Sequence, residues 1–206
     1  METIFQPDAA RVSASSATRP YAVGASISDL SHVPPPPTIS GRQVVLRLLS
    51  PDDRTCLRAI LAEPDVARWW APHRPDEAAA GLFEDGEVVY TILVNEAVVG
   101  AIEFSEENEP DYRYAAIDLF IDAAHQGRGL GRDAIRATAR YLFEERGHHR
   151  LTIDPAVAND RAIRAYRRVG FRPVGVMRAY ERGADGTWHD GLLLDLLEGE
   201  LTADDE

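Results

Sequence analysis

Gln126-Gly127-Arg128-Gly129-Leu130-Gly131-Arg132 follows an apolar run, Tyr114 to Ile121, and opens a helical pattern, Asp133 to Arg146. A strand, a glycine-rich turn and a helix start in that order form a phosphate cradle. Glycines at 127, 129 and 131 let the backbone approach a ligand, successive N–H groups point outward, and the helix N-terminus adds about half a positive charge. The expected ligand is polyanionic. Two nucleotide readings fail on spacing. No Gly-x-x-x-x-Gly-Lys-Ser/Thr run occurs, and a dinucleotide fingerprint belongs in the first strand-turn-helix of a parallel domain, whereas this turn lies past the middle of the chain.

Downstream, Arg150 to Ile153 reads as a short strand, and a helix follows from Asn159 to Gly170. Asn159 suits the N-cap, Ala162, Ile163, Tyr166 and Val169 form an inward stripe at helical spacing, and Gly170 suits the position just past the end. Upstream, Val44 to Leu48 is a strand and Ser50-Pro51-Asp52-Asp53 a helix start; Pro64-Asp65 and Pro75-Asp76-Glu77 begin two more helical segments. Val88 to Val94 and Val98 to Phe104 are strands joined at Asn95-Glu96, and two further strands fall near Arg172 to Tyr180 and Leu192 to Leu197. This order predicts an α/β (α+β) domain with a mixed sheet flanked by helices.

Residues 1–40 are rich in Ser, Ala and Pro and end in Pro34-Pro35-Pro36-Pro37, which predicts a disordered tail closing in a stiff spacer, with a proline-rich docking motif as the alternative. The folded domain is expected over 41–200, with a short acidic end at 201–206. The chain's formal charge is −12, and from Gly41 onward 20 basic residues, all Arg, face 31 acidic ones. Such a surface argues against nucleic acid and anionic membranes as partners. No run approaches the ~18 apolar residues of a membrane span, no signal-peptide layout opens the chain, and Cys56 is the only cysteine. A cytoplasmic monomer or homodimer is expected. Cys56, among Leu57, Ile60 and Leu61, is expected to pack in the core rather than act as a nucleophile. No His/Cys/Asp cluster has metal-ligand spacing, so no metal is expected; His148-His149 read as surface or capping groups, and His125 flanks the turn, where a phosphate would lie.

Asp118 interrupts the apolar strand just before the turn. If buried, its pKa would rise into a range useful for a general base, but strand alternation equally allows an Asp on the solvated face of an edge strand. Asp154 ends the next strand, and Glu103, Glu106, Glu107, Glu109 and Asp111 crowd what reads as a loop, either a negative cleft or a solvated charge run. Trp69 and Trp70 cannot share one helix face, so one is expected in the core and the other on a pocket.

Gln126, Gly129 and Gly131 match the Gln-x-x-Gly-x-Gly signature of the GNAT acyltransferases, which the chain therefore resembles. Asn159, Ala162 and Tyr166, closed by Gly170-Phe171, match what that family places beside coenzyme A. The resemblance implies the GNAT fold, a mostly antiparallel mixed sheet splayed at the cofactor cleft, and acetyl-CoA as co-substrate. It implies pyrophosphate on the amides of Gly127, Arg128, Gly129, Leu130, Gly131 and Arg132, with Gln126 in the signature, and the pantetheine arm along Leu119, Phe120 and Ile121. Over about residues 42–180 the spacing of Trp69-Trp70, Asp118, Asp154-Pro155 and Asn159 is similar to the aminoglycoside 6'-N-acetyltransferases. That likeness implies a small polycationic amine acceptor held by Trp69, Trp70, Asp118 and Asp154, with Asp118 taking the amine proton and Tyr166 protonating the leaving thiolate in a ternary complex. The proline-rich tail and the stretch Tyr180 to Gly191 depart from it; the latter resembles a C-terminal hairpin of other GNAT branches. Another amine acceptor (a polyamine, an amino-sugar metabolite or a protein N-terminus) and a non-catalytic acetyl-CoA sensor are the alternatives.

Overall fold

The computed structural model describes residues 34–70, 75–84, 87–183 and 185–203 of the 206-residue chain. Its strands are β1 (Thr38–Ser40), β2 (Val45–Leu48), β3 (Val88–Val94), β4 (Ala97–Glu107), β5 (Tyr114–Ile121), β6 (Arg150–Ile153), β7 (Arg172–Arg182) and β8 (Trp188–Leu197). Its helices are α1 (Arg54–Leu61), α2 (Pro64–Trp70), α3 (Pro75–Gly81), α4 (Leu130–Glu144) and α5 (Asp160–Val169). The strands make one sheet in the order β1-β2-β3-β4-β5-β6-β8-β7.

Period-two alternation puts a core on each face of that sheet. Tyr90, Ile102, Ile117 and Ile121 pack with α4 residues such as Ile135 and Leu142, whereas Val89, Ala101 and Phe120 pack with Leu57, Ile60 and Val66 of α1 and α2. Every ladder is antiparallel except β5–β6, which is parallel and pairs only Ala115 with Leu151 and Ala116 with Thr152. Past Ala116 no ladder holds these strands together, so five residues of β5, Ile117 to Ile121, run on into a gap. The functional cleft occupies that gap. Asp122 N–H bonds Val99 O toward β4 at 2.8 Å. By alternation the backbone groups of Ile117, Leu119 and Ile121 therefore turn the other way, into the opening.

Several expectations change. Thr38–Ser40 pair with β2, Leu48 N–H bonds Pro37 O at 3.0 Å and the Tyr90 hydroxyl donates to Pro36 O at 2.8 Å, so folded structure begins before Gly41. Residues 1–33 of the expected tail, and 204–206 at the other end, lie outside the described residues; Thr202 is tied to Val169 O and Arg168 O. β4 runs past Phe104 to Glu107, so Glu106 and Glu107 join Glu103 in the strand rather than in a loop. Cys56 is exposed: Leu57, Ile60 and Leu61 fill the inner stripe of α1, and the residue before Leu57 is rotated about 100° away from it.

His148 is not a surface group. It is buried, its Nε2 lies 2.7 Å from Glu106, and Arg146 grips the same carboxylate through Nε and Nη2 at 3.0 and 2.8 Å. Arg113 adds a 2.5 Å bond to Arg146 O. Burial works against the Glu106 anion, but His148 and Arg146 hold its pKa down at about 2. Two more buried aspartates pin the frame. Asp53 completes the Ser50 capping box and takes hydrogen bonds from Arg47 (2.8 Å) and Thr91 (2.7 Å); Asp133 accepts the N–H groups of Arg42, Gln43 and Val44 at 2.9, 2.6 and 3.0 Å.

Candidate active site

The glycine turn closes one end of the gap. Gly127 and Gly129 have φ of 76° and 86°, the left-handed region that costs other residues about 1–2 kcal/mol, and Gly129 is the N-cap from which α4 starts at Leu130, three residues earlier than expected. Gln126 braces the turn: its Nε2 donates to Ile121 O at 2.7 Å and its Oε1 accepts from Arg161. His125 is held by Asp122, with Nδ1 2.8 Å from Oδ1.

The cleft has a volume of about 360 Å³. Every residue singled out for cofactor or acceptor lies on its wall except Arg128, which borders a smaller cavity with Arg42 and Arg132. Both tryptophans line it, and of the two it is Trp70 that also packs against the core, so the expected division holds only in part. Trp70 packs edge-on against Phe120 at 4.7 Å, and Trp69 stacks under the Arg68 guanidinium at 4.5 Å. Asn159 caps α5 by accepting from Ala162 N at 3.2 Å.

Charge on the wall is divided by element. The acids Asp65, Asp118, Asp154 and Glu181 come from α2, β5, the end of β6 and β7; the arginines Arg132, Arg161, Arg164 and Arg168 come from the first turn of α4 and from α5. Among the described residues the Arg164 and Arg168 side chains have no acidic partner. Glu181 and the α5 arginines were not anticipated. The helical spacing of Arg161, Arg164 and Arg168 is a signal the sequence did carry.

Asp118 lies on the wall of this cleft, its carboxylate exposed to the solvent in the cleft while protein crowds it from the other sides. Burial pushes its carboxyl up to about 7; the Leu119 N–H (2.7 Å) and the Trp70 indole pull it back, and Asp154 and Glu87 push it further. The Trp70 Nε1–H is buried without a hydrogen-bond partner, so its pull on the carboxylate is that of a nearby donor rather than of a formed bond. Glu103 sits directly across the β4–β5 ladder from Asp118; burial, then Glu87 and Asp118, raise its pKa far enough to keep it protonated at neutral pH. Tyr166, 8% exposed on α5, faces the same space, and burial followed by Asp118 and Asp154 raises its phenol well above the ordinary value. A carboxylate that titrates near neutrality therefore faces a phenol that stays protonated. That pair can remove a proton on one side of a reacting group and deliver one on the other.

A sheet parted between two parallel strands, with a glycine cradle at a helix N-terminus beside the gap, defines a coenzyme-A-dependent acyltransferase. The family described as Acetyltransferase (GNAT) domain matches residues 43–172, and the chain belongs to it as an acetyl-CoA-dependent N-acetyltransferase. The chain is 27% identical over 161 residues to the aminoglycoside N(6')-acetyltransferase type 1 of Klebsiella pneumoniae, covering 68% of this chain and 79% of that one. It is 32% identical over 92 residues to the spermine/spermidine N(1)-acetyltransferase of Bacillus subtilis, covering 45% of this chain and 57% of the relative. Mycobacterium smegmatis RimJ, solved in complex with CoA-disulfide, has the same fold: TM-score 0.72 at 20% identity over 81% of this chain and 90% of its own.

Proposed function

We propose that the acceptor is a small polycationic amine, most specifically an amino group of an aminoglycoside acetylated at the 6' position, by direct attack in a ternary complex. The observation that carries this reading is the acidic part of the cleft wall, where Asp154 stands within electrostatic reach of both Asp118 and Glu181. The moderate similarity to an aminoglycoside N(6')-acetyltransferase supports it.

The opposite end fits acetyl-CoA. The turn amides from Gly127 to Arg132 and the start of α4 suit a pyrophosphate, and the cleft-facing backbone of Leu119 and Ile121 suits the amide-bearing pantetheine arm. When bound, acetyl-CoA supplies the thioester carbonyl carbon for attack and coenzyme A as the departing group. The chain's own residues manage the protons. An amine attacks only when neutral, and the Asp118 carboxylate, with a pKa of about 7, is matched to taking its proton at physiological pH. Asp154 and Glu181 hold the remaining cationic groups, and Trp69 and Trp70 give the sugar rings apolar faces to lie on. The Tyr166 hydroxyl keeps its proton until the sulfur departs and then donates it there.

Free-thiol release from acetyl-CoA, measured against kanamycin, tobramycin, kasugamycin, spermidine and a short peptide, tests the acceptor. Turnover confined to aminosugars supports the reading; turnover confined to peptide overturns it. Spermidine is the second reading, favoured by the same acidic wall and by the polyamine-acetylating relative.

A further inference from the structure

The hairpin of β7 and β8 carries a break that the chemistry above does not use. Met177 pairs with Gly191 and Glu181 with His189, so three residues of β7, Arg178, Ala179 and Tyr180, stand opposite a single residue of β8, Asp190. Ala179 takes a left-handed φ of 50°, unusual for a residue with a side chain, and its N–H is bonded by Asp190 Oδ1 at 2.8 Å. The bulge is thus pinned from across the hairpin.

In the sheet β8 lies between β6 and β7. A β7 side chain reaches the end of β6 only by crossing β8. Gly191 is the crossing point. On its β6 side it bridges to Ala156, with Leu192 N–H bonding Pro155 O at 2.8 Å; on the other side it meets Met177. The Tyr180 ring lies on its bare backbone: a Cβ at 191 would stand 2.8 Å from Tyr180 Cδ1 and 3.1 Å from Met177 Cε. Gly191 bridges to Ala156, two residues from Asp154, so the Tyr180 ring lying on Gly191 comes within reach of the Asp154 carboxylate, with Glu181 and Asp118 as its other charged neighbours.

We propose that Tyr180 is a positioning residue for the acceptor: reaching from the β7 bulge over Gly191, its hydroxyl donates to the Asp154 carboxylate and fixes it toward the amine-binding end of the cleft. This rests on the reading of that end as the acceptor site. The bulge is what makes it feasible, because in a regular strand Tyr180 and Glu181 would point to opposite faces, whereas here both lie beside Asp154. Tyr180 is 49% exposed, so its ring is not spent on the core.

The test is a double-mutant cycle with whichever amine is turned over. Tyr180→Phe should raise the acceptor KM about ten-fold, with kcat and the acetyl-CoA KM unchanged. Asp154→Asn should raise it at least as far, and the double variant no further than Asp154→Asn alone. Gly191→Ala, whose methyl displaces the ring, should reproduce Tyr180→Phe. An unchanged acceptor KM in Tyr180→Phe, or additive effects in the double variant, overturns the proposal. If no amine in the panel is turned over, the acceptor reading fails on its own and titration still decides the role of Tyr180. The absorbance difference between wild type and Tyr180→Phe should place its phenol at about 12, held there chiefly by Asp154, and Asp154→Asn should return it toward 10. A value unmoved by Asp154→Asn overturns the proposal.

Discussion

The two ends of the cleft are built in different ways. The cofactor end is largely backbone: a continuous turn, Gln126 to Arg132, two glycines in the left-handed region and one helix start, with arginines added at helical spacing. The end proposed for the acceptor is built from side chains, brought from α2, β5, the end of β6 and a bulged β7. On the proposed reading, one short local sequence suffices for an invariant pyrophosphate. An acceptor is recognised by groups that only the tertiary fold brings together, so the acceptor end can be retuned residue by residue without disturbing the cradle.

The sharpest way to break this division is Asp118→Asn. It should lower kcat/KM by about 10²–10⁴-fold while leaving acetyl-CoA affinity unchanged by calorimetry; a matching loss of cofactor binding would show that the ends are not separable. The converse variant, Gly129→Val, forces a branched side chain into φ 86° and should weaken acetyl-CoA binding about ten-fold while sparing the amine KM.

Glu106→Gln lies outside both ends. It leaves Arg146 without its buried partner and should cost about 3 kcal/mol, read as a fall in melting temperature of roughly 6–12 °C, with both KM values intact. The pH dependence has a definite sign. Because the Glu106 pKa is lowered in the folded state to about 2, its contribution is fully present above the ordinary value of 4.5 and is lost as pH falls from there toward 2. Glu106→Gln should therefore flatten the acid limb of the stability curve. The smallest effect is expected from Trp70→Phe, which removes a donor that favours the Asp118 anion and should move the acid limb of activity to higher pH without abolishing it.

The same contrast explains what was legible in the sequence. The glycine turn, the Asn159 cap and most of the order of elements along the chain follow from contiguous patterns, glycine spacing, capping residues and apolar periodicity, and the structure reproduces them. Asp118 stands out in the sequence as an acid inside an apolar strand, and Asp154 as an acid at the end of the next one. Glu181 was not, because its approach to the cleft depends on a two-residue slip between β7 and β8 that no alternation pattern encodes. Glu103 and Glu106 read as loop because charges interrupt the apolar run of β4; in the sheet they fall on opposite faces, one beside Asp118 and the other sealed by Arg146 and His148. His148 illustrates the limit most plainly, since its partner is 42 residues away along the chain. β1 escaped notice because three residues after a proline run are too few to show a period.

Asp118, with its pKa raised into the neutral range, is proposed to take the acceptor's proton. The most direct measurement is the pH dependence of kcat/KM for the acceptor in wild type and Asp118→Asn. Below about pH 7 Asp118 is protonated and cannot serve, so the wild-type value should break downward there, and in Asp118→Asn that break should vanish, leaving a much lower rate that follows only the ionisation of the acceptor amine itself. An acid limb that persists unchanged in Asp118→Asn would contradict the account.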